Sequence, residues 1–216
     1  SVFSLFASIL YFVVILIKGS LTVWDSVVLS AIYGVYLWIL AHQPVEEHPE
    51  EEDMPWIVKK VVALDRGPMM AATVWMFLIG GIVLYYSAHP FVETLQKWSV
   101  AWGISTFVFV QWVAPFLSEF PEKVTAFNWA RQKEKAPMAL LNMVSSNINQ
   151  WTMLAAMIPV VFSLSLGYVE GITFDEMHAT ELALTIAQSF LGGLLLMDLK
   201  FSIVDATIIF LLWVVQ

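Results

Sequence analysis

The sequence contains no cysteine and few charged residues. Asp, Glu, Lys and Arg make up 13% of its 216 residues, whereas soluble domains carry roughly a quarter. The lack of cysteine excludes disulfide bonds, thiolate metal ligands and a cysteine nucleophile. Hydrophobic residues make up 59% of the chain, so it has too few polar groups to cover a water-facing surface. We therefore predict an integral membrane protein.

Basic residues are also scarce, and the formal net charge is −8. This balance argues against nucleic acid as a partner, because proteins that bind it present basic surfaces. The acidity is concentrated between two apolar runs, at Glu46, Glu47, Glu50, Glu51, Glu52 and Asp53. Such a segment is typical of a solvated loop. A cation-sensing loop is the alternative, although the spacing is not that of an EF-hand.

Long apolar runs dominate the rest of the chain. A helix that crosses a bilayer needs roughly 20 apolar residues. Seven stretches approach or exceed this length: Val2–Ile17, Asp25–Ala41, Met69–Ala88, Leu95–Trp129, Met138–Leu166, Leu182–Met197 and Ile203–Gln216. The sequence therefore predicts an all-α fold, a polytopic transmembrane helical bundle with about seven spans. Both ends of the chain lie in apolar runs, so we expect a piece of a longer protein.

The basic residues predict the orientation in the membrane. One side would hold the acidic loop 42–66 and carry Lys59, Lys60, Arg66, Arg131, Lys133, Lys135 and Lys200. The opposite side would keep Lys18 and Lys97, together with the acidic loop around Glu170. Because cytoplasmic loops are enriched in Lys and Arg, we predict that the first side is cytoplasmic.

Two segments near the ends of the chain resemble each other. Ser20-Leu-Thr-Val-Trp-Asp25 aligns with Lys200-Phe-Ser-Ile-Val-Asp205, and each aspartate opens an apolar run. By the predicted spans, the two copies cross the membrane in opposite directions. Inverted repeats of this kind are typical of transporters. The alternative is two ordinary helix starts, since Asp is a common N-cap residue.

The fourth apolar stretch contains two prolines and two carboxylates. Pro115 and Pro121 interrupt backbone hydrogen bonding. Glu119 and Glu122 are three residues apart and would share a helical face. Carboxylates inside an apolar span are costly and indicate a functional site. Alternatively, the span ends near Leu117 and both glutamates lie at the membrane interface.

The fifth stretch carries a polar stripe on an otherwise apolar helix. Its members are spaced i, i+3, i+4, i+7 and are Asn142, Ser145, Ser146 and Asn149. Such a stripe either holds helices together or lines a pathway. Its amide and hydroxyl oxygens, placed opposite two carboxylates, would form an all-oxygen site. Hard cations such as Ca²⁺ prefer such ligands.

Together the two stretches resemble an alpha-repeat of the sodium/calcium exchanger superfamily. Repeats of that family carry Gly-Thr-Ser-x-Pro-Glu in a broken helix. A second helix then carries Gly-Ser-Asn, followed three residues later by Asn or Asp. Leu117-Ser-Glu-Phe-Pro-Glu122 and Ser145-Ser-Asn-Ile-Asn-Gln150 stand in these places.

The resemblance covers about Met69–Gln216 and implies a division of the chain. Residues 67–216 would be the second five-helix half of an exchanger, with the alpha-repeat at about 100–165. Residues 1–41 would be the last two helices of the first half, and residues 42–66 an acidic cytoplasmic loop. The remainder of the first half would come from the same full-length chain or from a partner chain.

The resemblance also implies a function. The protein would be a secondary active cation antiporter, rather than an enzyme, that exchanges Ca²⁺ for Na⁺ or H⁺ by alternating access. It would need no cofactor and would lie in the plasma membrane among lipids. Glu122 would be the main Ca²⁺-ligating carboxylate, and Glu119 would be the second metal-binding carboxylate. The other cation-binding residues would be Ser118, Ser146, Asn149 and Gln150.

The motifs depart from the family pattern at several positions. Leu117 replaces the glycine, Glu119 replaces a serine, and Gln150 replaces Asn or Asp. Two neighbouring carboxylates tend to retain a proton between them. We therefore hypothesise that Glu119 exchanges a proton and that H⁺ is the coupling ion. The alternatives are an exchanger for another cation and a non-transporting, degenerate exchanger-like module.

Other features indicate little chemistry. The four histidines, His42, His48, His89 and His178, share no metal-ligand spacing and are expected at the surface. No His-Glu-x-x-His motif is present, which together with the missing cysteine argues against an intramembrane hydrolase.

Overall fold

The structure is a computed structural model that describes residues 2–42, 56–105, 113, 116–117, 119–132, 135–197 and 202–215, without the side chains of residues 213 and 215. Its helices are α1 Val2–Lys18, α2 Val23–Ala41, α3 Trp56–Val62, α4 Arg66–Ala101, α5 Phe120–Ala130, α6 Ala136–Asn149, a π-helix Gln150–Leu154, α7 Ala155–Leu166, α8 Glu176–Leu195 and α9 Ile203–Val215. Two short strands are β1 Ser20–Leu21 and β2 Ile172–Thr173. The all-α prediction is confirmed.

The chain divides into two compact units. One comprises Ser1–Gln43 with Pro121–Gln216, and the other is Pro44–Phe120. The first therefore contains α1, α2 and α5 to α9, and the second contains α3 and α4. The division into exchanger halves and a connecting loop, drawn from the sequence, stays a prediction.

The core of the first unit forms around α1. This helix buries Leu5, Ile9, Phe12 and Ile15 along one face, as expected for a helix packed on one side. It packs mainly against α8, and also contacts α2, α6 and the π-helix. Helix α2 packs against α7 and the π-helix. The π-helix therefore lies between α1 and α2.

The two strands join the α1–α2 connection to the α7–α8 connection. They are antiparallel, with Ser20 opposite Thr173 and Leu21 opposite Ile172. Gly19, with φ of 72°, makes the turn that leads into β1, a backbone conformation that glycine adopts without steric cost. Both connections therefore lie at the same end of the unit, which agrees with their predicted placement on one side of the membrane.

The two aspartates of the sequence repeat have the same local structure. The carboxylate of Asp25 accepts bonds from the backbone N–H and the hydroxyl of Thr22, both at 2.7 Å. That of Asp205 accepts bonds from the N–H and the hydroxyl of Ser202, at 2.8 and 2.6 Å. Asp25 has two further partners, Tyr11 and Lys18. Each aspartate thus stabilises a helix start, and the inverted-repeat interpretation stays a prediction.

Three described helical segments are long and apolar enough to cross a membrane: Val23–Ala41, Arg66–Ala101 and Ala136–Leu166. Val2–Lys18 and Ile203–Leu212 are apolar but shorter. The expected total of about seven spans stays a prediction.

Helix α4 corrects the predicted limits of the third and fourth spans. The sequence predicted a break between Ala88 and Leu95, but α4 runs without interruption through Pro90. A proline inside a helix removes one backbone bond and can kink the helix, but the helix need not end there. The helix ends at Ala101, before Gly103, which has φ of 66°.

The predicted acidic loop and the start of α8 also differ from expectation. Residues 43–55 lie outside the described residues, but Trp56–Val62 forms helix α3, so residues 42–66 are not entirely loop. Helix α8 begins at Glu176, ahead of the predicted stretch that starts at Leu182. Asp175 caps it by accepting the backbone N–H of His178 at 2.8 Å, and this bond lowers the pKa of Asp175 below its ordinary value.

Candidate functional site

Glu122 lies in the first turn of α5 and is exposed. The preceding residue, Pro121, suits a helix start, where its missing N–H would have no helical partner. Pro121 is the second residue of α5 and follows the turn at Glu119, so it lies at a helix start and not inside a helix. The positive end of the helix dipole favours a negative charge at this place. A carboxylate at this place can bind a cation.

Glu119 lies in a turn before α5 and is half-buried. It belongs to the unit that ends at Phe120, whereas Glu122 belongs to the unit that resumes at Pro121. The prediction that both glutamates share the face of one helix is therefore wrong, because the helix begins only after Glu119. Ser118, the other predicted ligand of this segment, lies outside the described residues.

The polar stripe lies on α6, but its members have different surroundings. The hydroxyl of Ser145 is 2.6 Å from the hydroxyl of Tyr36 on α2. Ser146 is half-buried and Asn149 is exposed. Ser145 thus joins two helices, as interhelical polar contacts do in membranes. Ser146 and Asn149 remain the predicted ligands of the stripe.

Asn142 begins the stripe and carries an unsatisfied group. Among the described residues, its side-chain nitrogen is the buried side-chain polar atom that lacks a hydrogen-bond partner. Nearly all buried polar groups in native proteins have partners, so each exception calls for a physical explanation. Elsewhere on α6, Val144 and Ile148 are 4% and 0% exposed and hold the helix in the core.

Gln150, the predicted ligand at the end of the stripe, is the first residue of the π-helix and is half-buried. The backbone N–H of Ala155 bonds to the carbonyl of Gln150, which is the i to i−5 pattern of a π-helix. Segments of this kind are rare and are frequent at functional sites. The sequence offered no periodicity that would have revealed this segment.

Trp151, the residue after Gln150, is held by a hydrogen bond and a ring contact. The indole N–H of Trp151 donates to the hydroxyl of Ser189 on α8 at 3.0 Å. The ring of Trp151 meets Phe12 of α1 edge to face, with 4.6 Å between the centroids. These residues were not among the sequence candidates. The tryptophan itself was the available signal, since a buried indole needs an acceptor for its N–H.

In the described part of the chain, no group of three or more His, Cys, Asp or Glu side chains could hold a metal ion. The three described histidines, His42, His89 and His178, are exposed in this chain. His48 lies outside the described residues.

Comparison with known proteins finds similarity to a protein family and to a solved structure. A protein family described as sodium/calcium exchanger protein matches residues 72–216. A crystal structure described as the H⁺/Ca²⁺ exchanger CAX is 30% identical to this chain, with a TM-score of 0.89. That similarity covers 100% of this chain and 53% of the other, so this chain spans about half the length of that exchanger. No curated protein matches the sequence.

Proposed function

The chain belongs to the sodium/calcium exchanger protein family, and on this premise we propose that it forms about half of a secondary active antiporter. The antiporter would move Ca²⁺ across the membrane against H⁺ or Na⁺ by alternating access. Similarity over the whole chain to an H⁺/Ca²⁺ exchanger is the observation that carries this proposal. The protein would thus be a membrane transporter and not an enzyme.

The cation site proposed here combines one strong ligand with several neutral ones. Glu122, at the start of α5, would supply the main carboxylate for Ca²⁺. Ca²⁺ binds six to eight oxygens in flexible arrangements, including carboxylates and amide carbonyls. The remaining oxygens from this chain would come from Ser118, Ser146, Asn149 and Gln150. Further ligands would come from the rest of the exchanger, in the same full-length chain or a partner chain.

Glu119 is proposed to determine the coupling ion. It stands where the family motif carries a serine, and a carboxylate can exchange a proton where a hydroxyl cannot. The similar crystal structure is described as an H⁺/Ca²⁺ exchanger. Both observations favour H⁺ over Na⁺. We further propose that the protein lies in the plasma membrane, with the 42–66 segment in the cytoplasm.

Transport in sealed liposomes tests the proposal. Full-length protein is reconstituted, and Ca²⁺ uptake is measured with an outward H⁺ gradient and, separately, with an outward Na⁺ gradient. Uptake driven by H⁺ is expected. Uptake driven by Na⁺ alone would support an exchanger but contradict the role of Glu119. No uptake under either gradient by folded protein would contradict the proposed function.

Glu122→Gln tests the main ligand. Glutamine keeps the size of the side chain but removes the charge that Ca²⁺ requires, so uptake should be abolished while thermal unfolding changes little. Glu93→Gln is the matched control, because Glu93 is an exposed glutamate on α4 that pairs with Lys97 at 3.6 Å. That variant should transport like the wild type. Normal uptake by folded Glu122→Gln protein would refute the assignment.

A non-transporting exchanger-like module is the second candidate. Leu117 in place of the family's glycine favours it, since a large side chain stands where the motif is small. Binding of Ca²⁺ to the folded state would raise its stability, by about 2.7 kcal/mol at a hundred times the Kd. A full-length protein whose unfolding temperature ignores Ca²⁺ and other cations would favour this second candidate.

A further inference from the structure

The π-helix Gln150–Leu154 interrupts a helical run that continues from Ala136 to Leu166. The residue before it, Asn149, has ordinary helical angles of −61° and −41°. The register therefore changes at Gln150, the position of a proposed cation ligand. A π-helix is rare and less favourable than an α-helix, so it persists where surrounding contacts stabilise it.

Thr152 makes a contact inside this segment. Its hydroxyl donates to the carbonyl of Ile148 at 2.5 Å, and both residues are fully buried. A Thr hydroxyl that bonds back to the carbonyl four residues earlier tends to bend a helix at that turn. This bond therefore acts on the turn at which the α-helix gives way to the π-helix.

Trp151 anchors the same segment from outside. Its N–H bond to Ser189 and its ring contact with Phe12 fix it against α8 and α1. Gln150 therefore precedes Trp151, which is anchored to two helices, and it lies within the turn that the bond from Thr152 to Ile148 spans. The π-helix inserts one extra residue into its turn, and each added residue rotates the following side chains by about 100°. The register therefore determines the direction of Gln150 relative to Trp151 and α7.

We propose that Thr152 is a positioning residue of the cation site: its hydroxyl maintains the π-helix and thereby the orientation of the Gln150 amide toward Ca²⁺. This inference rests on the proposed function. Thr152 would not touch the cation. Loss of its hydroxyl would let Gln150–Leu154 revert to α-helix and turn the amide oxygen away.

The test compares three variants of the full-length protein. Thr152→Val keeps the shape but removes the hydroxyl, and Thr152→Ser retains it. Thr185→Val is the matched control, because Thr185 makes the same kind of bond, to the carbonyl of Glu181 at 2.8 Å, within the regular helix α8. Ca²⁺ uptake is measured over a range of Ca²⁺ concentrations, and the structure of Thr152→Val is determined in lipid.

Thr152→Val should raise the Ca²⁺ concentration for half-maximal uptake several-fold and change the maximal rate less. Thr152→Ser should restore the wild-type value, and Thr185→Val should leave it unchanged. A wild-type value in Thr152→Val would overturn the proposal, as would an equal rise in Thr185→Val. A retained π-helix in the Thr152→Val structure would also overturn it. Absence of Ca²⁺ uptake by the wild type would refute the proposed function separately, and the structural comparison would still decide whether the Thr152 hydroxyl maintains the π-helix.

Discussion

Asn142 and Ser145 lie on the same face of α6 but contribute to stability in opposite ways. The side-chain nitrogen of Asn142 is buried and unpaired, whereas Ser145 bonds to Tyr36 at 2.6 Å. An unsatisfied buried donor costs about 1 to 3 kcal/mol, and a satisfied bond contributes about 1 kcal/mol. Asn142→Leu, which has a similar shape, should therefore raise the free energy of unfolding by about 1 kcal/mol or more. Ser145→Ala should lower it by about 1 kcal/mol.

Equilibrium unfolding in detergent, followed by tryptophan fluorescence, measures both changes. Tyr36→Phe is the control for Ser145→Ala, since it removes the other hydroxyl of the same pair. The double variant should lose less than the sum of the two single losses. A destabilised Asn142→Leu protein would show that the amide has a partner in the full-length protein and would contradict the prediction.

The sequence predicted the polar stripe but not the separate roles within it. Helical spacing is a local property, so i, i+3, i+4 and i+7 were sufficient to place four polar residues on one face. The partner of Ser145 comes from α2, 109 positions earlier in the chain. A contact at that distance depends on how helices pack and leaves no local signal. The prediction that Glu119 and Glu122 share a helical face was wrong for a related reason, since spacing alone does not show where a helix begins.

At the scale of helices, α1 and α8 approach closely at Gly193. A Cβ atom added there would lie 3.1 Å from the ring of Phe6, whereas one added at Gly192 would meet nothing within 4 Å. The ring of Phe6 is itself held edge to face against Phe190, with 5.4 Å between the centroids. Gly193→Ala should therefore displace the ring of Phe6 by a few tenths of an ångström and be less stable than Gly192→Ala by about 1 kcal/mol or more.

The two glycines form a matched pair because both lie in α8 and gain the same helix propensity from alanine, roughly 0.5–1 kcal/mol. The difference between the two unfolding free energies therefore isolates the packing term. Equal stabilisation by both substitutions would show that Phe6 can move aside without loss, and would mean that α1 and α8 are not in tight contact at this point.

Apolar runs predicted several helices closely and others poorly. The predicted stretch Val2–Ile17 became Val2–Lys18, and Asp25–Ala41 became Val23–Ala41. These helices are bounded by a left-handed glycine and a capping network, both of which have local signals. Two other features had no local signal, namely the continuity of α4 through Pro90 and the formation of the π-helix. Each depends on whether the surroundings compensate for a disturbed backbone.

At the scale of the whole molecule, the exposed surface is strongly apolar. On α4, Phe77, Leu84 and Tyr85 are 81%, 71% and 77% exposed. Soluble monomers rarely expose large apolar patches, so lipid or further protein must cover this helix. The chain spans about half of the similar exchanger, and both kinds of covering are consistent with the proposed assembly. Composition predicted this membrane character, although it could not tell lipid-facing residues from those that face protein.

The number of crossings sets the orientation in the membrane. Cysteine labelling can measure that orientation, because these 216 residues contain no cysteine and any cysteine in the rest of the full-length protein can be replaced by serine. Single cysteines at Lys59 and Tyr168 would report on opposite predicted sides, because three predicted spans separate these positions. In cells that express full-length protein, a membrane-impermeant maleimide should label Tyr168→Cys from outside. It should label Lys59→Cys only after permeabilisation. Phe77→Cys, within the apolar α4, should resist the reagent in both conditions.

Labelling of both loop positions from the same side would mean an even number of crossings between them and would refute the predicted spans. Reversed labelling would keep the spans but invert the protein, and would place the acidic 42–66 segment outside the cytoplasm.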